Sequence, residues 1–261
     1  MYFSVVFNQS LFKKFIFHQK NRFPAQSFIK SKIAERLLDK LSFIKLVPKN
    51  IFVEGFEDSY LNVIKEIYPK AKISVDLTEF TAFDAIISHC KIQQTSSVNE
   101  ELSSWYSHLK PEGVVVFASF GSSTLQEVKN AWQLIDGMVH INQMLVMNDL
   151  GDFLVKQEFK NVVMDRETLI LQYKDLRTLF QDIRELNEPL ADSKMRETFT
   201  GKKRWQKFCE RLAKKSLSVS YEIFYGYGYK DSHSLGLKGK IKSQETLISF
   251  DVLREAVKHK T

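Results

Sequence analysis

Cysteine is scarce in this 261-residue chain, which has two, Cys90 and Cys209. Two are too few for a disulfide scaffold or a zinc cage, so both read as reduced, partly buried thiols in a cytoplasmic protein, and no metal site is expected. Long apolar runs are missing as well. None reaches the roughly 18 residues that a membrane-spanning helix needs. The opening stretch MYFSVVFNQSLFKKFIFHQ is apolar enough to look like a secretory leader, but Lys13 and Lys14 interrupt it and no small-residue cleavage site follows. It reads instead as an amphipathic helix packed on the body. No internal repeat, low-complexity segment or RNA- or DNA-binding motif is present, and the last of these absences leaves no nucleic-acid partner expected.

What the chain does have is an ordinary globular composition, 44% hydrophobic and 13% aromatic. Its formal charge is +7 and its pI is near 9.2, a balance that favours contact with something acidic. The positive charge is clustered. One group comprises Lys202, Lys203, Arg204, Lys207, Arg211, Lys214 and Lys215, and another Lys230, Lys238, Lys240 and Lys242. A solvated helix face and a docking patch are both consistent with the first group.

Apolar residues at helical spacing predict a helix over residues 26–44. Short apolar runs predict strands at 50–53, 72–77, 83–88 and 113–118. Between the first two, Asp58 or Ser59 is read as the cap of a helix, and Pro111 and Gly113 as the stop of another. The turn at 110–113 marks the strand after it as a sheet edge. Further helices are predicted at 125–135, 150–159, 175–186 and 202–215. Strands are expected at 161–165 and 219–228, and a terminal helix beyond residue 242. Strands alternating with helices argue for a parallel sheet covered on both faces.

Several stretches then become recognisable together. HLKPEGVVVFASFGSSTLQEVKNAWQLID (108–136), HINQMLVMNDLGDFLVKQEF (140–159), VVMDRETLILQYKDLRTLFQDIRELN, TGKKRW (200–205) and SYEIFYGYGYK (220–230) follow one another in order. With ERLLDKLSFIKLVPKNI (35–51), they resemble the malonyl-acyl-carrier-protein O-methyltransferases of biotin synthesis over nearly the whole chain. The resemblance implies an α/β fold, the seven-stranded Rossmann-like sheet of S-adenosylmethionine-dependent methyltransferases with a helical insertion near the C-terminal end. It implies N-terminal helices forming a lid over 1–48, a methyltransferase-like domain over 49–230 with the insertion at about 172–216, and a basic tail over 231–261. The implied reaction transfers a methyl group from S-adenosylmethionine to the free carboxylate of malonyl-phosphopantetheine on an acidic acyl carrier protein. A carboxylate is already ionised at neutral pH, so alignment and exclusion of water supply the rate, and no catalytic residue is singled out. Tyr173, Arg177 and Arg184 of the insertion, with Lys202, Lys203 and Arg204, are the expected grip on substrate and carrier.

Two departures from the family pattern bear on the cofactor. A glycine-rich turn after the first strand lets backbone approach the ligand and offers a helix start to its carboxylate. Here that stretch reads Val53-Glu54-Gly55-Phe56-Glu57-Asp58-Ser59, and only Gly55 of the turn glycines remains. Asp76, 21 residues after Gly55, stands at about the spacing of a ribose-binding acid. Gly55 and Asp76 are therefore the cofactor-binding candidates. Asp76 and Asp84 are only eight residues apart, whereas a parallel crossover with its helix takes at least about 10–12. A bare link must span about 19 Å and eight extended residues reach about 26 Å, so the link fits but holds no helix. The expectation is a sheet narrowed by loss of its third strand. The rival function is a non-catalytic relative that keeps a carrier-binding surface.

Overall fold

Residue order alone sets up most of the sheet. In the computed structural model, which describes residues 7–20, 27–192, 194–195, 198–214 and 217–232, two helices come first, α1 (Gln9–Lys20) and α2 (Phe28–Leu41). Ser27 accepts a hydrogen bond from the Lys30 amide and caps α2, whose Ile33, Leu37 and Leu41 face inward. Strand β1 (Asn50–Glu54) leads into α3 (Asp58–Ile67) and β2 (Lys72–Ser74), and β3 (Phe83–His89) follows after a bare link. The chain continues through a single 3₁₀ turn, Ile92–Gln94, then α4 (Val98–His108), β4 (Leu109–Phe120), α5 (Gln126–Gln133) and α6 (Met147–Lys156). It ends with β5 (Lys160–Gln172), α7 (Leu176–Glu185), α8 (Lys202–Ala213) and β6 (Ser218–Tyr229).

The six strands stand in the order β2-β1-β3-β4-β6-β5. The first four are parallel, and β6 runs antiparallel between β4 and β5. Between β2 and β3 the described residues form neither helix nor strand, so the sheet is narrowed as chain length requires. Alternation along β4 divides the core into two layers. Val114, Val116 and Ala118 meet α2 and the α5 side, while Val115 and Phe117 meet Trp105, Leu150 and Leu154. Each such Val, Leu or Phe side chain contributes roughly 1.5–3 kcal/mol by leaving water.

Four sequence expectations need correction. β4 is central rather than an edge, and it starts at Leu109, before Pro111; a register shift opposite Phe83 accommodates the proline. β2 ends at Ser74, because Asp76 turns back on Thr78 instead of extending the strand. β5 runs on to Gln172, well past the expected strand end at residue 165. The helix after β1 begins with Asp58, preceded by Glu57, with no side-chain cap from Asp58 or Ser59. The expected C-terminal helix and Lys238, Lys240 and Lys242 lie outside the described residues.

Candidate active site

Strands β1 and β3 pair in parallel, yet β1 continues through α3 to β2 on its other side. The connections diverge there, and the crevice at the carboxyl ends of such strands is where open α/β sheets bind ligands. A cleft of about 810 Å³ lies at this point. Glu54, Gly55, Phe56 and Glu57 form one wall, His89 and Lys91 another, and Lys30 of α2 and Asn187 after α7 complete it. A smaller, mostly apolar pocket of about 190 Å³ lies beyond the end of β4, lined by Phe120, Leu125, His140, Ile183, Arg184 and Glu188.

Gly55 has φ of +80° and lies so close to β3 that a Cβ there would sit 1.9 Å from the His89 carbonyl oxygen. His89 closes the corner. Its Nδ1 and Nε2 lie 3.0 Å from the carbonyl oxygens of Gly55 and Lys30, tying α2 to the β1 turn. Burial pushes the imidazole down to about 4, so at neutral pH the ring is uncharged and donates to only one of the two carbonyls. The Phe56 ring packs on it with centroids 4.9 Å apart. Burial pushes the Glu54 carboxyl up to about 7, against a hydrogen bond from Ser88 Oγ at 2.6 Å. Cys90 is fully enclosed and its thiol is pushed up to about 12 by burial, which leaves it inert beside His89.

The structure does not bring the expected site residues together. Gly55 is in the cleft wall. Asp76 is not among the cleft-lining residues; it is exposed, and its Oδ1 accepts from both the amide and the hydroxyl of Thr78. These two bonds hold its carboxyl below the usual range. Tyr173 is buried, its hydroxyl 3.1 Å from that of Tyr221, and it packs α7 against the sheet. Arg177 and Arg184 are exposed on α7, with Arg184 at the smaller pocket. Lys202, Lys203 and Arg204 are exposed at the start of α8, whose Phe208 stacks on Trp132 with centroids 4.1 Å apart. Sequence reading did not single out Lys30, Glu54, Gln93, Gln94 or Glu188 for the site. They converge only through tertiary structure, and no spacing links them.

No protein-family profile matches the chain. Curated proteins do. The malonyl-[acyl-carrier protein] O-methyltransferase of Gallionella capsiferriformans is 24% identical over 258 residues, covering 83% of this chain and 89% of that protein. Malonyl-[acyl-carrier protein] O-methyltransferase 1 of Coxiella burnetii is 26% identical over 250 residues, covering 85% and 88%. Over more than four-fifths of its length this chain is similar to malonyl-acyl-carrier-protein O-methyltransferases. A solved S-adenosylmethionine-dependent methyltransferase from Archaeoglobus fulgidus overlays at 14% identity with a TM-score of 0.41, covering 83% of this chain and 99% of that one. Here the strand order, not that overlay, carries the fold.

Of S-adenosylmethionine, the cofactor that the sequence resemblance implies, the cleft fits one end. The start of α3 has no side-chain cap; the Tyr60 amide already donates to the Glu57 carbonyl, which leaves the amides of Asp58 and Ser59 for a carboxylate. Glu57 lines the cleft, and its Oε2 is shut from solvent with no hydrogen-bond partner. An orphaned carboxylate oxygen suits an ammonium or sulfonium cation. The nucleoside end has no such match. Asp76 faces away into its own turn, and the described link between β2 and β3 brings no third strand.

Proposed function

We propose that this chain transfers a methyl group from S-adenosylmethionine to the free carboxylate of a malonyl group borne on an acyl carrier protein. The observation that carries the reading is the cleft at the carboxyl ends of β1 and β3, in a sheet of methyltransferase type, in a chain with named relatives along most of its length. When bound, the cofactor supplies an activated methyl group. The Gly55 turn and the first turn of α3 hold its amino-acid end, and Glu57 faces its positive charge. The helices α1 and α2, through Phe12, Ile16 and Lys30, keep water from the cleft. No general base is required, since the attacking oxygen is already ionised.

Calorimetric titration with S-adenosylmethionine and with S-adenosylhomocysteine tests this. Micromolar binding of either ligand is the expected result, with Glu57→Gln weakening both, since both carry the ammonium at the amino-acid end that Glu57 would face. A folded protein that gives no heat up to millimolar ligand would turn the reading toward a carrier-binding relative without methyl transfer.

The carrier is acidic on this reading, and α8 is its dock. Phe208 and Leu212 anchor the helix, while Lys202, Lys203, Arg204, Lys207, Arg211 and Lys214 are exposed. Trp205, 43% exposed, adds apolar surface among them. Aromatic and basic residues side by side are the composition of a protein-binding face, and opposite charge mainly speeds and orients docking. Replacing Lys203, Arg204 and Lys207 together by glutamate is expected to weaken malonyl-carrier binding about tenfold or more and flatten its salt dependence. Unchanged affinity across 50–300 mM salt, over which the Debye length falls from about 14 to about 6 Å, would remove α8 from the interface.

A further inference from the structure

Glu188 follows the left-handed Asn187 (φ 53°) just past the end of α7, and its side chain is 6% exposed. Its Oε1 accepts hydrogen bonds from Lys30 Nζ at 2.9 Å, Gln94 Nε2 at 2.7 Å and Gln93 Nε2 at 3.2 Å. The donors come from α2 and from the 3₁₀ turn after β3. Lys30 and Gln94 line the larger cleft, and Glu188 lines the smaller apolar pocket. The grip therefore stands between the two.

A carboxylate leaves water at a cost of several kcal/mol unless charged and polar donors replace it. Three donors on one oxygen do that here. The loop itself is held by other means. Asn142 Nδ2 donates to the Pro189 carbonyl at 2.8 Å, and Asn142 Oδ1 accepts from the Ala191 amide at 2.7 Å. Gln93 is also fixed independently of Glu188, donating to the Cys90 carbonyl at 2.9 Å and accepting from Ser119 Oγ at 3.1 Å. The donor set is thus prearranged to receive a carboxylate at the junction of a cofactor-sized cleft and an apolar pocket.

We propose that Lys30, Gln93 and Gln94 form the receptor for the substrate's free carboxylate, and that Glu188 occupies it as an internal stand-in that the substrate displaces. This rests on the carboxyl-methylation reading above. One substrate oxygen takes the place of Glu188 Oε1, and the other is left to face the cleft. The acyl chain then lies toward Phe120, Leu125 and Ile183. Once esterified, the substrate carries no charge for Lys30, and the Glu188 carboxylate regains its donors. Exchange between an internal and an external carboxylate gives the site a built-in step for product release.

The test uses the full chain and malonate as the probe. Glu188→Ala leaves Lys30 without its counter-charge, so the variant is expected to melt below the native protein. Malonate should raise its melting temperature and bind it at least about tenfold more tightly than it binds the native protein, the worth of a charged hydrogen bond. Malonamide, which has the same shape without charge, should do neither, and adding Lys30→Met should abolish the gain. Glu188→Gln, which keeps the side-chain volume, should gain malonate affinity in the same direction if the alanine variant fails to fold. A folded Glu188 variant that binds malonate no better than the native protein overturns the proposal, as does a gain that survives loss of Lys30. None of these readouts involves the methyl donor. Malonate binding without S-adenosylmethionine binding would spare the receptor and sink the transfer, and the reverse pair of results would do the opposite.

Discussion

Replacing Gly55 by alanine is expected to destabilise the protein by about 2–4 kcal/mol, the largest loss anticipated for a single methyl group at the site. Two separate effects add at this position. With φ at +80°, any side chain incurs about 1 kcal/mol of backbone strain. The second effect is larger, because the new Cβ would fall 1.9 Å from the His89 carbonyl oxygen and 2.9 Å from its carbon. Those are backbone atoms, and they cannot retreat cheaply. One residue earlier, Glu54 is paired with Ser88 in the β1–β3 ladder, and Gly55 itself offers its carbonyl to His89. Relief therefore means breaking part of the ladder or the His89 clamp. Gly137 supplies the control, since its φ is +65° and, among the described residues, the neighbour nearest to an added Cβ is Gln133 Nε2 at 4.0 Å. Gly137→Ala should show the strain without the clash, about 1 kcal/mol. Urea unfolding of both variants separates the two effects. Equal losses at the two glycines would mean that the close approach of β1 to β3 contributes nothing.

That contrast also marks how far the sequence could be read. Gly55 was visible as the surviving turn glycine, but the reason it survives, the carbonyl of His89, lies 34 residues further along the chain. The lost third strand was legible because eight residues between Asp76 and Asp84 set a hard limit on what fits. Helix α2 was legible from its apolar spacing, while its Ser27 cap emerged only in the structure. The central place of β4 was not. It follows from β6 returning from the far end of the chain to pair with it, and local patterns do not encode long-range pairing. Likewise, residues 166–172 of β5 alternate between half-buried and exposed positions, a weak apolar signal that left this half of the strand unread. Asp76 had the right spacing and the wrong environment, because a Thr two residues later offers both an amide and a hydroxyl. The Lys30–Glu188–Gln94 junction joins α2, the loop after α7 and the turn after β3, so only the folded chain assembles it.

Replacing Glu54 by glutamine is expected to stabilise the protein at pH 8 by about 1–3 kcal/mol. The folded-state value of Glu54 is raised from 4.5 to about 7. Between those values the folded chain holds a proton that the unfolded chain has released, so stability falls as pH rises through the window and levels off above it. Glutamine removes that loss and still offers Ser88 Oγ an acceptor at the position of the present 2.6 Å bond. His89 works in the opposite direction. Its folded value lies near 4 against 6.5 for a free imidazole, so the unfolded chain takes up a proton first and stability falls as pH drops from about 6.5 toward 4. In the native protein the two slopes oppose each other across about pH 4.5–6.5 and largely cancel. Glu54→Gln should expose the histidine slope, giving a protein that is more stable than the native one at pH 8 and that loses stability steadily below pH 6.5. Denaturant midpoints at pH 8, 6.5, 5.5 and 4.5 measure both effects. Parallel profiles for variant and native protein would mean that Glu54 is ionised at neutral pH after all. A buried acid that lowers stability is characteristic of a working site. Glu54 stands one residue before the Gly55 turn in a cleft read as receiving a cation, and a positive charge there would pull its value down. Ligand binding should then release a proton near pH 7, and glutamine at position 54 should abolish that release.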